Sequence, residues 1–288
     1  HLKLGYTEAS GMPALRQAVV NTFYSGLDEK NILMFAGAEE GIFCTFHALV
    51  EKGDHVIVLT PCYQSLLEIP KLKGAQVSEI QLQEENEWKI DLNAIQQAIQ
   101  PNTKIIIINF PHNPTGQVIE NGDLLKLVDL CDKNGVWLFS DEVYRLLGNP
   151  GQPWASPAAS VYDKAISLGV MSKAFGMAGL RIGWIACQNK EILQKIECVK
   201  HYTSICNSGP SEILALISLH NYEKILARNN AIVSNNLKIL DDFFNEFSHL
   251  FQWIRPQGGC VGFVNYNSKQ CVDDFCHQML QEKSTLLM

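Results

Sequence analysis

Arginine is scarce in this chain of 288 residues, and positive charge is not in excess. Acidic residues outnumber lysine and arginine by 30 to 23, which gives a formal net charge of −7 at pH 7. A protein of that charge does not attract nucleic acid or an anionic membrane surface, so we expect neither as its main partner. Each arginine is therefore worth locating, and the full set is Arg16, Arg145, Arg181, Arg228 and Arg255.

The sequence also lacks a leader-peptide pattern and an apolar run long enough to cross a bilayer. Its nine cysteines include no C-x-x-C pair. An odd number of cysteines scattered through apolar segments is typical of reduced thiols in a cytoplasmic protein rather than of a disulfide framework. The chain begins at His1 without a methionine and stops at Met288, so we expect it to lack part of both ends.

The sequence contains neither the motif of a nucleotide site nor the residue spacing of a metal site. No P-loop and no G-x-G-x-x-G follows a predicted strand, which argues against a nucleotide cofactor. The histidines His47, His55 and His112 do not have the spacing of metal ligands, so we expect no metal site.

Apolar runs alternate with helical patterns through the first two thirds of the chain. The runs predict strands at residues 54–60, 75–82, 103–110, 135–140, 164–170 and 181–187, and the helical patterns cover residues 39–53, 91–100 and 121–135. Asp91 is placed as a helix N-cap, and Gly53 and Gly135 as helix C-terminal glycines. Continuous Ile and Val runs are typical of strands buried on both faces, so we predict an α/β domain with a mostly parallel central sheet and helices on both faces.

After about residue 188 the pattern changes to long helices. These cover residues 189–202 and then 211–247, and strand-like pieces at 251–256 and 260–266 and one more helix follow. We predict a large α/β domain over residues 1–225 and part of a smaller α+β domain over residues 226–288, because the pattern of alternating strands and helices ends there.

Polar residues follow three of the predicted strands, at the point where each strand ends. Asn113 follows the strand at 103–110, Asp141 and Tyr144 follow the strand at 135–140, and Lys173 follows the strand at 164–170. Ligands bind beyond the carboxyl ends of strands in open α/β sheets, so these four residues are expected to converge on one crevice. Taken singly, each has a structural explanation: a turn asparagine, a capping aspartate, a packed tyrosine and a solvated lysine.

The set N-P-T-G, D-E-x-Y, S-K and the following R-x-G resembles the class I/II aminotransferases. These are fold-type I enzymes that depend on pyridoxal 5'-phosphate, and order and spacing agree from Gly5 to the last residues. The resemblance implies that Lys173 binds the cofactor aldehyde as a Schiff base and later acts as general base, which requires a neutral amine in a dry setting. The stretch 170-VMSKAFGMAGLRIGW-184 is mostly apolar, so we expect that setting.

The same resemblance implies roles for the residues around the lysine. Asp141 is expected to pair with the pyridine nitrogen and keep its proton there. Asn113 and Tyr144 are expected to donate hydrogen bonds to the phenolate oxygen. Tyr63 matches the aromatic residue that stacks on the cofactor ring. Glu142 points to the opposite side of an extended segment and is expected to be structural.

The cofactor phosphate is expected at 36-AGAEEGIF-43, a turn that opens into a helix. Gly37, Ala38 and Glu39 match the family's phosphate-binding turn through their backbone N–H groups, and the Glu39 side chain is expected to face away from the phosphate. Arg181, eight residues after the lysine, matches the arginine that binds the phosphate.

One position departs from the family pattern. Val170 stands where the family often has Ser or Thr, so the phosphate site has one donor fewer, and Ser172 is expected to substitute for it in part. With one donor fewer, the affinity for the cofactor is the property that this departure is expected to change. Tyr6, in 5-GYTEASGMPALR-16, matches a tyrosine that reaches the phosphate of the neighbouring subunit, which implies a homodimer with shared active sites.

The expected activity is transfer of an amino group between an amino acid and a 2-oxo acid, in two half-reactions of a ping-pong scheme. Two alternatives stay open: a lyase or cyclase on the same scaffold, for example one that catalyses β-elimination, and a non-catalytic pyridoxal-phosphate-binding domain of a regulator. Arg145 is assigned either to the substrate or to the surface. Leu66, Leu146 and Leu147 favour an uncharged substrate pocket.

Overall fold

The computed structural model describes residues 4–148 and 153–287. A seven-stranded sheet forms the centre, in the order β1-β7-β6-β5-β4-β2-β3. Its strands are β1 (Ile32–Phe35), β2 (His55–Thr60), β3 (Gln76–Gln81), β4 (Thr103–Asn109), β5 (Trp137–Asp141), β6 (Ala165–Val170) and β7 (Gly183–Ala186). The pairs from β6 to β3 are parallel, and β7 runs antiparallel to both of its neighbours. The predicted mostly parallel sheet is confirmed.

Helices cover both faces of this sheet because successive residues of each strand point to opposite sides. Ile105 and Ile107 pack in one buried cluster, whereas Ile106 and Ile108 pack in another on the opposite face. Each such side chain contributes roughly 1.5–3 kcal/mol when fully buried. The helices of this part are α1 (Pro13–Phe23), α2 (Ala38–Leu49), α3 (Gln64–Leu72), α4 (Leu92–Ala98), α5 (Asn121–Asn134), α6 (Ala158–Val161) and α7 (Lys190–Lys200).

Two of the three predicted helix ends are confirmed. The Asp91 side chain accepts hydrogen bonds from the backbone N–H groups at the start of α4, and Gly135 ends α5 in the left-handed conformation. The placement of Gly53 was wrong, because α2 ends at Leu49. The Asp54 carboxylate accepts a hydrogen bond from the Glu51 N–H at 2.9 Å, and this turn replaces the last helical turn that the pattern predicted.

The later part of the chain is mostly helical. It contains α8 (Gly209–Leu219), α9 (Tyr222–Glu246), the antiparallel pair β8 (Phe251–Trp253) and β9 (Val264–Tyr266), and α10 (Val272–Lys283). The single helix predicted over residues 211–247 is in fact two, because Asn221 interrupts it and donates its side-chain amide to the Ile217 carbonyl. The predicted boundary after residue 225 lies in the first turn of α9.

The segment that joins β8 to β9 is hydrogen-bonded to the large sheet domain. The backbone N–H groups of Gln257 and Gly258 both donate to the Gly116 carbonyl at 2.9 Å, and the Gly259 N–H donates to Leu147 at 2.7 Å. A Cβ on Gly116 would lie 2.2 Å from Pro256, so this contact requires glycine. Among the described residues, no helix combines the length and the apolar character that crossing a membrane requires.

Candidate active site

One cavity of about 210 Å³ lies beyond the carboxyl ends of β4, β5 and β6. Polar residues from these strand ends, from the start of α2 and from the start of α3 meet in it. The predicted site residues that line it are Ala38, Glu39, Tyr63, Asn113, Asp141, Tyr144, Ser172, Lys173 and Arg181. The strand-end residues are therefore neighbours, which the parallel sheet explains.

Asp141 is the last residue of β5 and is buried. One carboxylate oxygen accepts a hydrogen bond from the Val143 N–H at 3.1 Å, and the Asn109 side-chain amide donates to the Asp141 carbonyl at 3.0 Å. Burial raises the pKa of Asp141 to about 7, and Glu142 adds to this effect whereas Lys173 opposes it. A carboxylate in this setting gains stability from a cationic hydrogen-bond donor placed against it in the cavity.

Glu142 points away from the cavity and is structural, as its extended segment predicts. Its carboxylate accepts hydrogen bonds from the Ala158 N–H at 2.9 Å and from the Ser167 hydroxyl at 2.8 Å. Arg145 lies 3.6 Å from the same carboxylate and also donates to the Ala155 carbonyl. Arg145 was expected either to contact the substrate or to lie at the surface. It does neither, because it is largely buried and lies outside the residues that line the cavity.

Lys173 follows β6 and projects toward Tyr144. Its Nζ lies 5.5 Å from the centre of the Tyr144 ring, close enough for a cation–π contact. The dry setting expected for Lys173 is wrong for the single chain, because the residue is exposed. The apolar neighbours that suggested burial point inward instead: Ala174 and Phe175 pack in the core below the cavity.

The turn between β1 and α2 has the form of an anion site. Gly37 is the residue before α2, has a φ of +98°, and leaves the helix start without a side-chain cap. A Cβ on Gly37 would lie 2.4 Å from Nη2 of Arg181, so the guanidinium rests directly on this glycine. Free N–H groups, the helix dipole and a guanidinium together favour a phosphate.

Gly183, the glycine of the R-x-G motif, supports the same turn from below. A Cβ on it would lie 2.8 Å from the backbone nitrogen of Ala38. Gly37 and Gly183 are therefore required for the same reason. The β1–α2 turn, β7 and the Arg181 side chain are in closer contact than any side chain at these two positions allows.

The Glu39 side chain and Tyr63 line the part of the cavity next to the start of α3. The Glu39 carboxylate accepts a hydrogen bond from the Ser65 hydroxyl at 2.6 Å, which holds it beside the start of α3. Tyr63 precedes α3 and is 43% exposed, so one side of the residue is open to the cavity. Burial and the nearby Glu39 raise the pKa of Tyr63, so its hydroxyl stays protonated at neutral pH.

Two residues that the sequence analysis missed hold the site residues in place. The Asn109 side chain accepts from the Asn113 N–H at 2.8 Å and so joins the turn after β4 to the end of β5. Glu40 accepts from the Ala36 N–H at 2.7 Å and from the Ser204 N–H at 3.0 Å, which closes the β1–α2 turn. The polar end of an otherwise apolar strand was a usable signal for Asn109, whereas nothing distinguished Glu40 from Glu39.

Some predicted residues do not meet in this cavity. Tyr6 is 93% exposed and lies outside the cavity of its own chain. Leu66 and Leu147 are buried in two different hydrophobic clusters, and Leu146 packs against the cluster that contains Leu147. They form no substrate pocket, because helix and turn packing turns them inward.

The cavity fits pyridoxal phosphate in the chemistry of its donors. It combines an uncapped helix start with a guanidinium, a buried acid and a primary amine. Within the described residues, no group of three or more His, Cys, Asp or Glu is arranged to hold a metal ion.

Comparisons with known proteins point to one family. The sequence matches the family described as Aminotransferase class I and II over residues 3–288. An aspartate aminotransferase of Geobacillus stearothermophilus is 29% identical over 98% of this chain and 75% of that protein. Capreomycidine synthase of Streptomyces vinaceus is 26% identical over 88% of this chain and 64% of that protein.

Solved structures give the same result. A PLP-dependent aminotransferase from Streptococcus suis superposes with a TM-score of 0.94 at 38% identity, over all of this chain and 75% of that one. The PLP-dependent cyclase OrfR superposes with a TM-score of 0.91 at 26% identity, over 99% of this chain and 76% of that one. The chain belongs to the class I and II aminotransferases, the fold-type I enzymes whose cofactor is pyridoxal phosphate.

Proposed function

We propose that the protein transfers an amino group between an amino acid and a 2-oxo acid in two half-reactions. The observation that carries this proposal is that Lys173, Asp141 and Arg181 line one cavity. Family membership supports the cofactor, and the aspartate aminotransferase relative supports transamination as the reaction.

Pyridoxal phosphate, when bound, supplies an aldehyde that condenses with amines and a ring that takes up an electron pair. We assign Lys173 as the residue that would hold the aldehyde and that, as a free amine, would take up and return the proton of the substrate's α-carbon. Asp141 keeps a proton on the ring nitrogen. The Tyr144 and Asn113 side chains stabilise the phenolate oxygen by hydrogen bonds.

The remaining residues bind rather than react. The backbone N–H groups of Ala38 and Glu39, together with the Arg181 guanidinium and the Ser172 hydroxyl, would donate hydrogen bonds to the phosphate. Tyr63 stacks on the ring from the opposite wall of the cavity.

We further propose a homodimer in which Tyr6 of one subunit completes the phosphate site of the other. The exposed Tyr6 ring supports this, since it lies outside the residues that line the cavity of its own chain. Nine free cysteines support a reducing compartment such as the cytoplasm. We keep residues 1–225 and 226–288 as the two domains, with α9 as the connecting helix.

Cyclisation or β-elimination is the second candidate, because a cyclase and capreomycidine synthase are among the similar proteins. Oxo-acid formation from a panel of amino acids, with and without an added 2-oxo acid acceptor, separates these reactions. Transfer requires the acceptor for turnover beyond one equivalent. Elimination releases ammonia without an acceptor, and that result would replace the aminotransferase assignment.

The first experiment is the visible absorption spectrum of the protein with pyridoxal phosphate, beside Lys173→Ala. We expect a band in the parent that the variant lacks and that bleaches when an amino acid is added. A band that no amino acid changes would favour the regulator domain, and no band in either protein would contradict the site assignments.

A further inference from the structure

A buried lysine, Lys200, is not among the residues that line the cavity and has no part in the chemistry above. Lys200 is the last residue of α7 and has no exposed surface. Its Nζ donates to the Ala9 carbonyl at 2.7 Å and to the Ile205 carbonyl at 3.1 Å. Lysine is almost never fully buried unless its ammonium group is paired, so these two bonds explain how the residue is tolerated there.

The surroundings of Lys200 favour a fixed cation. The end of a helix attracts positive charge through its free carbonyls. Burial lowers the pKa of Lys200, whereas the charge of Glu40 opposes that change. Glu212, also fully buried, accepts from the Asn207 side-chain amide at 2.9 Å, so this part of the protein is a connected polar cluster.

The cluster holds residues 7–12 of the same chain, which we call the arm base. Two charged donors with little exposure hold the arm base: Lys200 donates to the Ala9 carbonyl, and Arg16 donates to the Gly11 carbonyl at 3.0 Å. Three other long-range hydrogen bonds hold the arm base: from the Thr7 hydroxyl to Asn207, from the Met34 N–H to Ser10, and from the Met12 N–H to Glu212.

Tyr6 is the first residue beyond the arm base, and its ring is 93% exposed. The Tyr6 side chain makes no hydrogen bond or ring contact with the described residues of its own chain, so its direction follows from the position of the arm base. Fixing the Ala9 carbonyl, three residues away, therefore sets where the Tyr6 hydroxyl can reach.

We propose that Lys200 is a positioning residue for the active site of the neighbouring subunit. Its ammonium group anchors Ala9, and the anchored arm base directs Tyr6 to the cofactor phosphate of the partner. This inference rests on the homodimer proposed above. Lys200 acts through Tyr6 and touches neither substrate nor cofactor.

Two heterodimers that contain the same substitutions in different chains test this proposal. In the first, one chain carries Lys200→Met together with Lys173→Ala, and the other chain is unchanged. In the second, one chain carries Lys200→Met and the other carries Lys173→Ala. Each heterodimer has one site with Lys173, but only in the first is that site completed by the Tyr6 of a chain without Lys200.

The readout is binding of pyridoxal phosphate, titrated by the absorption band that depends on Lys173. We expect the first heterodimer to bind about tenfold more weakly than the second, the ratio typical of one lost hydrogen bond to a charged group. Hydrogen exchange of the amides of residues 7–12 in the cofactor-free protein is the second readout. These amides should exchange faster in the chain that carries Lys200→Met and at an unchanged rate in the other chain.

If Lys200 only stabilises its own chain, the two heterodimers bind alike, or the second binds more weakly, and the proposal is wrong. Lys195→Met, an exposed lysine on the same helix paired with Glu191, is the matched control and should leave both heterodimers unchanged. If Lys200→Met does not fold, Thr7→Val can replace it, because it loosens the same arm base. The first heterodimer should again bind pyridoxal phosphate more weakly than the second, by a smaller factor.

A parallel pair of heterodimers with Tyr6→Phe separates this inference from the proposed function. A preference in the Tyr6 pair without one in the Lys200 pair overturns the role of Lys200 alone. Equal binding in the Tyr6 pair, or a monomer in sedimentation, overturns the shared site and with it the inference.

Discussion

Substitution of Gly37 by alanine tests the phosphate site at its most constrained point. Gly37 has a φ of +98°, and a Cβ there would lie 2.4 Å from Nη2 of Arg181. Two separate effects follow. With a ψ of 170°, this backbone conformation is open essentially only to glycine, and it costs a residue with a Cβ about 1–3 kcal/mol in unfolding free energy. The new methyl group also displaces the guanidinium from the place where it can bind a phosphate.

The second effect sets the size of the change in binding. A hydrogen bond to a charged group contributes about 1.5–3 kcal/mol, which corresponds to roughly a 10- to 100-fold rise in the dissociation constant of pyridoxal phosphate. The first effect lowers the Tm of the cofactor-free protein by about 2–5 °C, because 1 kcal/mol corresponds to roughly 1.7 °C in a chain of 288 residues. Absorption titration and thermal unfolding measure the two independently.

Gly179→Ala is the control, because a Cβ there meets no atom within 4 Å although the residue lies in the same loop as Arg181. It should change neither quantity. If Gly37→Ala binds the cofactor within about twofold of the parent, Arg181 does not bind the phosphate from its observed place, and the reasoning is refuted.

Three further substitutions test other parts of the site. Asp141→Asn should raise the Tm of the cofactor-free protein at pH 8 but not at pH 4. Burial raises the pKa of this acid from 3.8 to about 7, so the parent loses stability as pH rises through that window, and equal shifts at both pH values would contradict this. Glu40→Gln should weaken cofactor binding about tenfold in the site of its own chain, because a bond to the Ala36 or Ser204 N–H is lost. Measurement in the heterodimers described above checks this, and an effect on the partner site would be evidence against it. Val170→Thr supplies the missing donor and should tighten binding about threefold by titration, whereas unchanged binding would mean that this position does not face the phosphate.

The sequence predicted the parts of the site that depend on strand ends. Asn113, Asp141 and Lys173 each follow an apolar run, and the geometry of a parallel sheet brings such positions together whatever the loops do. The exposure of Lys173 could not be predicted in this way. Exposure depends on which side of the loop faces the core, and an apolar composition does not specify that side.

The contacts that hold the site in place were not predictable because they join distant parts of the chain. Glu40 meets Ser204, and Lys200 meets Ala9, across 164 and 191 positions respectively. Nothing local marks either residue, since both occur in helices with other charged residues nearby. The break between α8 and α9 was missed for the opposite reason: a single asparagine that bonds to its own preceding turn ends a helix without glycine or proline.

The double hydrogen bond to the Gly116 carbonyl constrains how the two parts of the protein can move. Gln257 and Gly258 both donate to this one oxygen, which lies in the turn that also carries Asn113. A rotation of the β8–β9 pair against the sheet must therefore either break both bonds or pull on that turn. Any movement of this segment would therefore be transmitted through the Gly116 carbonyl to the turn that carries Asn113, one of the residues that line the cavity.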